Sequence, residues 1–183
     1  MTSTPGGAIR RRMDRGVQRR DELVDRLADH LLEQGLEAAS LRVLARAAGT
    51  SDRMLLYYFA DKDALIAAVL ARIAERLTLQ LGEIAAPQPM APEVLRQHLA
   101  PALLDDRFWP YMRLWLGIAA RAAHGEPPYA QVGEQLGRGF LLWAAAQIDS
   151  ADPMRDAAKL LASVEGMVLL KSIGMADVAR QAI

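Results

Sequence analysis

The stretch that most constrains the fold is residues 40–65, which reads SLRVLARAAGTSDRMLLYYFADKDAL. It holds two short helical patterns, at 41–48 and at 52 to about 58, and each begins directly after a serine that can act as an N-cap, Ser40 or Ser51. Gly49 follows the first pattern, where the backbone must turn through a positive φ. Apolar residues recur at helical spacing in both patterns, which predicts two helices that cross at a tight corner. This is the arrangement of a helix-turn-helix, whose second helix enters the DNA major groove.

The same stretch resembles the DNA-binding motif of the TetR family of bacterial transcriptional regulators. That motif has a small-residue Ala-Gly turn, a Ser-capped recognition helix that ends in aromatic residues, and a Lys-acid pair that opens a long helix. The matching pieces here are LARAAG, TS, LLYYF and DKDAL, and the resemblance covers about residues 20–70. It implies an all-α homodimer that binds a palindromic operator in double-stranded DNA.

The resemblance also implies which residues contact DNA. Base edges and phosphates are expected to meet the start of the first motif helix, the outer side of the second, and the lysine that opens the next helix. These residues are Ser40, Arg42, Ser51, Asp52, Arg53, Met54, Leu56, Tyr57, Tyr58 and Lys62.

Asp52, Arg53, Met54 and Leu56 depart from the residues most frequent in the family. Asp52 would repel phosphate unless it pairs with Arg53 or accepts a hydrogen bond from a cytosine amino group. The motif therefore does not predict the operator sequence. The alternative interpretation of the aromatic residues is that they pack into a helical core.

Composition narrows the remaining classes. Ala and Leu dominate the 183 residues and 52% are hydrophobic, which favours an all-α fold with a large core. The absence of cysteine excludes disulfides and thiolate chemistry, and favours the cytoplasm as the compartment. No apolar run is long enough for a membrane span. No nucleotide loop, catalytic motif or metal-ligand cluster is present, so we expect no cofactor, no metal and no enzyme activity.

We predict about nine helices in three segments: a disordered basic arm at 1–16, a three-helix DNA-binding domain at 17–64, and a helical effector-binding and dimerisation domain at 65–183. The first helix is expected from residue 17 or 19 to 34, and a long helix from 62 to about 84. The arginines of the arm fit either a solubilising tail or a segment that contacts phosphates or the minor groove.

Aromatic residues concentrate in the C-terminal segment, where the resemblance implies a helical bundle with a cavity for a small effector. Candidate pocket residues are Trp109, Tyr111, Met112, Trp115 and Tyr129. The alternative is that these side chains simply fill the core. Two final helices, at about 129–148 and 153–173, have glycines and broad apolar stripes and predict a dimer interface, with burial inside one chain as the alternative. The candidate interface residues are Gly133, Leu136, Gly137, Phe140, Leu160, Val164, Met167 and Val168.

The function that these observations predict is a repressor released from its operator by a small apolar or amphipathic effector. One alternative is a related DNA-binding protein that responds to no small molecule. The other is an all-α binding or catalytic protein that uses the helical corner only for packing.

Overall fold

The computed structural model describes residues 5–85 and 88–183, with side chains described from residue 16 onward within those ranges. This part of the chain forms nine α-helices and one short 3₁₀ turn, Leu36–Ala38, and contains no β-strand. The helices are α1 (Pro5–Gln34), α2 (Leu41–Ala47), α3 (Asp52–Tyr58), α4 (Lys62–Ile84), α5 (Pro92–Leu104), α6 (Trp109–Ala123), α7 (Tyr129–Ala146), α8 (Pro153–Ser172) and α9 (Ala176–Gln181). The all-α prediction is confirmed.

The first compact unit, Met1–Arg72, is built on the apolar stripe of α1. Leu23, Leu27 and Leu31 recur at helical spacing and are buried. The start of α4 belongs to the same unit, and the Arg72 guanidinium lies 2.7 Å from the Asp25 carboxylate of α1. Buried leucines, each worth about 1.5–3 kcal/mol relative to exposure, supply most of the stability of such a small core.

Helix α1 begins earlier than the sequence pattern predicted. We expected a disordered arm at 1–16 and a helix from residue 17 or 19, whereas α1 begins at Pro5. The apolar stripe starts only at Leu23, so periodicity gives no signal for the preceding turns, although Arg and Met are good helix formers. Residues 1–4 of the expected arm lie outside the described residues.

The second compact unit, Ile73–Ile183, is a helical bundle with a core drawn from α4 to α9. Its helix ends follow local rules: the Asp152 side chain accepts a hydrogen bond from the Arg155 amide at 3.1 Å, and Pro153 occupies the first turn of α8. The packing divides the chain inside α4, after Arg72, whereas the division that we expected lies after residue 64.

Helix α6 of the second unit begins at Trp109, with Pro110 accommodated in its first turn. The final helix α9, which we did not predict, buries Ala179 fully against the unit. In the described part of the chain, no helix is both long and apolar enough to span a membrane.

Candidate DNA-binding surface and ligand cavity

Two serine caps and one glycine fix the corner between α2 and α3. The Ser40 hydroxyl accepts a hydrogen bond from the Val43 amide at 3.4 Å, and the Ser51 hydroxyl accepts one from the Met54 amide at 3.3 Å. Gly49 has φ 65°, a left-handed conformation that glycine adopts without a steric penalty. The local chemistry therefore ends one helix and starts the next within a few residues, as the sequence predicted.

The inner side of α3 anchors the helix to the first unit. Leu55 is fully buried, and Phe59, which follows the helix, is 4% exposed. The Arg20 guanidinium lies 4.8 Å from the centre of the Phe59 ring, a distance suited to a cation–π contact. These contacts leave the opposite side of α3 facing outward.

The outer side of α3 exposes three large apolar or aromatic residues in sequence proximity. Met54 is 41% exposed, Leu56 45% and Tyr57 74%. Tyr58 is half-buried, and its ring meets the Tyr57 ring edge-on at 5.1 Å between centroids. The alternative in which these aromatics fill a core does not hold for Tyr57, because most of its surface is accessible.

Charged side chains are also exposed on α2, on α3 and at the start of α4. Arg42 at the start of α2, Arg53 on α3 and Lys62 at the start of α4 are all exposed. Asp52, in the first turn of α3, is also exposed and favourably placed at the positive end of the helix dipole. Among the described side chains, Asp52 and Arg53 form no ion pair with each other, so Arg53 does not neutralise that carboxylate.

The second unit contains a partly open cavity of about 90 Å³ that is lined by α4, α5, α6, α7 and α8. Its wall is mostly aliphatic, with Leu77 and Leu81 from α4 and Leu99 and Leu103 from α5. Three aromatic residues complete it: Trp115, Phe140 and Trp143. Apolar walls with a few polar groups are typical of small-molecule sites, although this volume is below that of most drug-sized pockets.

The structure brings two of the five predicted pocket residues, Met112 and Trp115, to this cavity. Trp109 instead stacks under the Lys171 ammonium at 4.3 Å. The Tyr111 hydroxyl accepts a hydrogen bond from the Gln80 amide at 2.9 Å, and Tyr129 is buried beneath the Arg121 guanidinium. Trp109, Tyr111 and Tyr129 do not line this cavity, and their assignment to an effector pocket stays a prediction.

Glu165 on α8, the one charged residue among the described side chains that line the cavity, was not among the predicted pocket residues. The Trp115 indole N–H donates a hydrogen bond to Glu165 Oε2 at 2.7 Å. Burial raises the pKa of the Glu165 carboxyl, and the hydrogen bond from Trp115 lowers it by less. A signal existed in the sequence, since Glu165 follows Leu161 and Val164 on the apolar stripe of α8.

The residues of α8 that we assigned to a dimer interface lie in the core of the second unit. Exposed fractions are 6% for Leu160, 9% for Val164, 3% for Met167 and 1% for Val168. Side chains covered by their own chain offer little apolar area to a second copy, so the fold gives this part of the interface prediction no support.

On α7 the predicted interface residues are only partly accessible. Leu136, Gly137, Gly133 and Phe140 have intermediate exposure, and Phe140 also lines the cavity. A Cβ atom added at Gly133 would lie 3.4 Å from Ile118, and one at Gly137 would lie 3.8 Å from Trp115. Both neighbours belong to α6 of the same chain, so close packing of α6 on α7 is one reason for glycine at these positions.

Known proteins share both the motif and the fold. The family model described as bacterial regulatory proteins, tetR family, matches residues 23–69, which include α2, α3 and the start of α4. The chain is 26% identical over 160 residues to the HTH-type transcriptional regulator PksA of Bacillus subtilis, and the match covers 83% of this chain and 78% of PksA. Residues 23–69 thus carry the DNA-binding motif of the TetR family of transcriptional regulators.

Solved structures of other regulators share the fold. A transcriptional regulator from Rhodococcus sp. Rha1 has 25% identity and a TM-score of 0.67, with coverage of 89% of this chain and 90% of that one. A regulator from Saccharomonospora viridis, solved in complex with choline, shares the fold at 15% identity and a TM-score of 0.62, with 90% and 93% coverage. The chain spans about half the length of the BetI regulators that it also matches, 55% for that of Pseudomonas fluorescens.

Similarity to named regulators decides between the broad alternatives. This protein is a DNA-binding transcriptional regulator and not an enzyme. The interpretation of the helical corner as a mere packing device is therefore wrong.

Proposed function

We propose that this protein is a ligand-controlled repressor of the TetR family. In this proposal a homodimer occupies a palindromic operator and releases it when a small apolar or amphipathic effector binds in the cavity of the second unit. The observation that carries the proposal is the exposed face of α3, where Met54, Leu56 and Tyr57 would form a poor free surface but a good DNA-binding one.

The DNA contacts follow from the chemistry of that face. Asp52, Arg53 and Met54, at the N-terminal end of α3, are placed to read base edges in the major groove, as in other helix-turn-helix proteins. Tyr57, Tyr58 and Lys62 would contact phosphates and fix the orientation of the helix. Substitution of a base-reading residue should change sequence specificity, and substitution of a phosphate-contacting residue should change affinity for all sequences.

The start of α2 adds a second set of contacts. The Ser40 and Ser51 hydroxyls accept hydrogen bonds as N-caps and can still donate one to a phosphate oxygen. Arg42 carries a planar guanidinium that can bond O6 and N7 of guanine together. Asp52, without an ion pair to Arg53, is suited to accept a hydrogen bond from the amino group of cytosine.

The effector half of the proposal is supported by the cavity in the second unit. A ligand changes operator affinity only if it binds the two conformations of the regulator with different affinity. The Saccharomonospora viridis regulator, which has the same fold, was solved in complex with choline, and this supports control by a small molecule.

Dimerisation is supported by the family, whose members are generally dimers, and by apolar side chains that remain exposed on the last helices. Leu142 on α7 is 59% exposed, Leu169 on α8 54%, and Ile173 at the end of α8 63%. We propose that these residues take the place of the buried α8 residues in the interface. A two-fold dimer presents two copies of α3, which matches a palindromic operator.

The test begins with selection of operator fragments from random DNA by the purified full chain. Arg42→Ala should weaken binding to the selected site by about 1–3 kcal/mol and relax the preference at one base pair of each half-site. Lys62→Ala should weaken binding to all sequences similarly and lower the slope of log affinity against log salt by about one for each phosphate that the lysine neutralises.

Lys159→Ala is the matched control, because it removes an exposed cation from α8 of the second unit. It should leave operator binding unchanged. Equal losses for all three variants would show that net charge, and not the face built on α3, governs binding. An operator affinity that no small molecule changes would favour the alternative in which the regulator acts without an effector.

A further inference from the structure

Glu165 occupies a position that the pattern of α8 would give to an apolar residue. Leu161, Val164, Glu165 and Val168 lie on one face of the helix, and all four line the cavity. A carboxylate on such a face loses part of its hydration, a cost that only a compensating partner offsets.

Trp115 compensates that cost in part. Its indole N–H occupies one acceptor position of the carboxylate, whereas an ionised carboxylate offers about four. No ion pair to Glu165 exists among the described residues, and its carboxyl pKa is raised by burial rather than lowered by a nearby cation. When Glu165 is ionised, the wall of the cavity therefore carries a negative charge without a counterion among the described residues.

The remaining walls suit a cation with an apolar body. The Trp115, Phe140 and Trp143 rings border the same cavity, and aromatic ring faces attract cations electrostatically. The leucines from α4 and α5 offer aliphatic surface for an alkyl chain. A neutral alcohol would donate a hydrogen bond to Glu165 but would not neutralise the charge of its carboxylate. An anion would be repelled by that charge.

We propose that the cavity binds an organic monocation, an ammonium group on a short apolar body, with Glu165 as its counterion and the aromatic rings of Trp115, Phe140 and Trp143 around it. The volume of about 90 Å³ restricts the body to a slender one. This inference rests on the proposed function, because it names the chemical class of the effector.

Three ligands of equal length and different charge test the proposal: n-hexylammonium, 1-hexanol and hexanoate. Isothermal titration of the full chain at neutral pH should show hexylammonium binding at least about 10-fold more tightly than 1-hexanol, the size of one charge-assisted hydrogen bond. Hexanoate should bind more weakly than either. Equal affinity for hexylammonium and 1-hexanol, or no binding of hexylammonium, would overturn the proposal.

Substitutions test whether Glu165 is the source of the preference for a cationic ligand. Glu165→Gln keeps the shape of the side chain, and this variant should bind hexylammonium and 1-hexanol with about equal affinity. Glu165→Leu, which suits the apolar face of α8, should do the same and provides a second neutral variant if glutamine impairs folding. Glu83→Gln, an equivalent change at an exposed position of α4 outside the cavity lining, should retain the full preference. A preference that survives in both Glu165 variants would exclude Glu165 as the counterion.

An operator titration separates this inference from the proposed function. Loss of operator affinity with hexylammonium, absent in Glu165→Gln, would support both. Charge-selective binding without any change in operator affinity would support the cation site and refute ligand control of DNA binding. Release of the operator by 1-hexanol as readily as by hexylammonium would support ligand control and refute the cation site.

Discussion

Neighbouring residues of α3 predict opposite consequences for folding and for DNA binding. Leu55 is fully buried, whereas Tyr57 is 74% exposed. Truncation of a buried leucine to alanine costs about 2–5 kcal/mol of folding free energy, because less apolar surface is buried and a cavity remains. We therefore expect Leu55→Ala to destabilise the first unit by this amount, and Tyr57→Ala to change stability by no more than about 0.5 kcal/mol.

Tyr57→Ala, which should leave the protein folded, should reduce its affinity for DNA. A tyrosine hydroxyl bonded to phosphate contributes a net of about 0.5–1.5 kcal/mol. In a dimer the substitution removes this hydrogen bond from both half-sites, so Tyr57→Ala should weaken operator binding by about 1–3 kcal/mol, or roughly 5- to 150-fold. Tyr57→Phe keeps the ring and its edge-on contact with Tyr58, and separates the role of the hydroxyl from that of the ring.

Chemical denaturation and fluorescence anisotropy with labelled operator measure the two quantities on the same preparations. If Tyr57→Ala unfolds as readily as Leu55→Ala, Tyr57 is part of the core and does not face outward. If Tyr57→Ala is fully folded and binds the operator as well as the unchanged protein, Tyr57 does not contact DNA.

Three further predictions concern helix stability and pH. Ser51→Ala should cost about 0.5–2 kcal/mol in chemical denaturation, because the alanine cannot accept the hydrogen bond from the Met54 amide, whereas Ser51→Asp should retain most of the stability. Gly139→Ala should stabilise α7 by about 0.5–1 kcal/mol, since nothing lies within 4 Å of the added Cβ; dissociation of the dimer in light scattering would instead place Gly139 in a tight interface. Glu165→Gln should raise the melting temperature near neutral pH. The gain should shrink as the pH falls toward the ordinary glutamate pKa of 4.5, because a carboxyl with a raised pKa destabilises the fold only when it is ionised. A gain from Glu165→Gln that grows at acid pH would contradict that account.

The DNA-binding surface was largely predictable because its determinants are local. The backbone conformation here depends on Ser40, Ser51 and Gly49, which act within a few residues of their own positions. Their roles as helix caps and as a turn residue can therefore be predicted without any tertiary contact. The spacing of Leu55 and Phe59 then determines which side of α3 is buried and, by exclusion, that Tyr57 faces outward. The base and phosphate roles of the outward residues stay predictions.

The sequence by itself determined the helices that have strong start signals, such as Asp61 before α4 and Asp152 before α8, where side-chain oxygens bond the first amides of the helix. Only the tertiary structure decided what covers an apolar stripe. Val164 and Val168 on α8 show the same periodicity whether they face their own chain or a second copy, and the packing of α8 into the second unit buries them. The cavity beside Glu165 likewise depends on side chains from five helices that are distant in sequence, so no local pattern could place it.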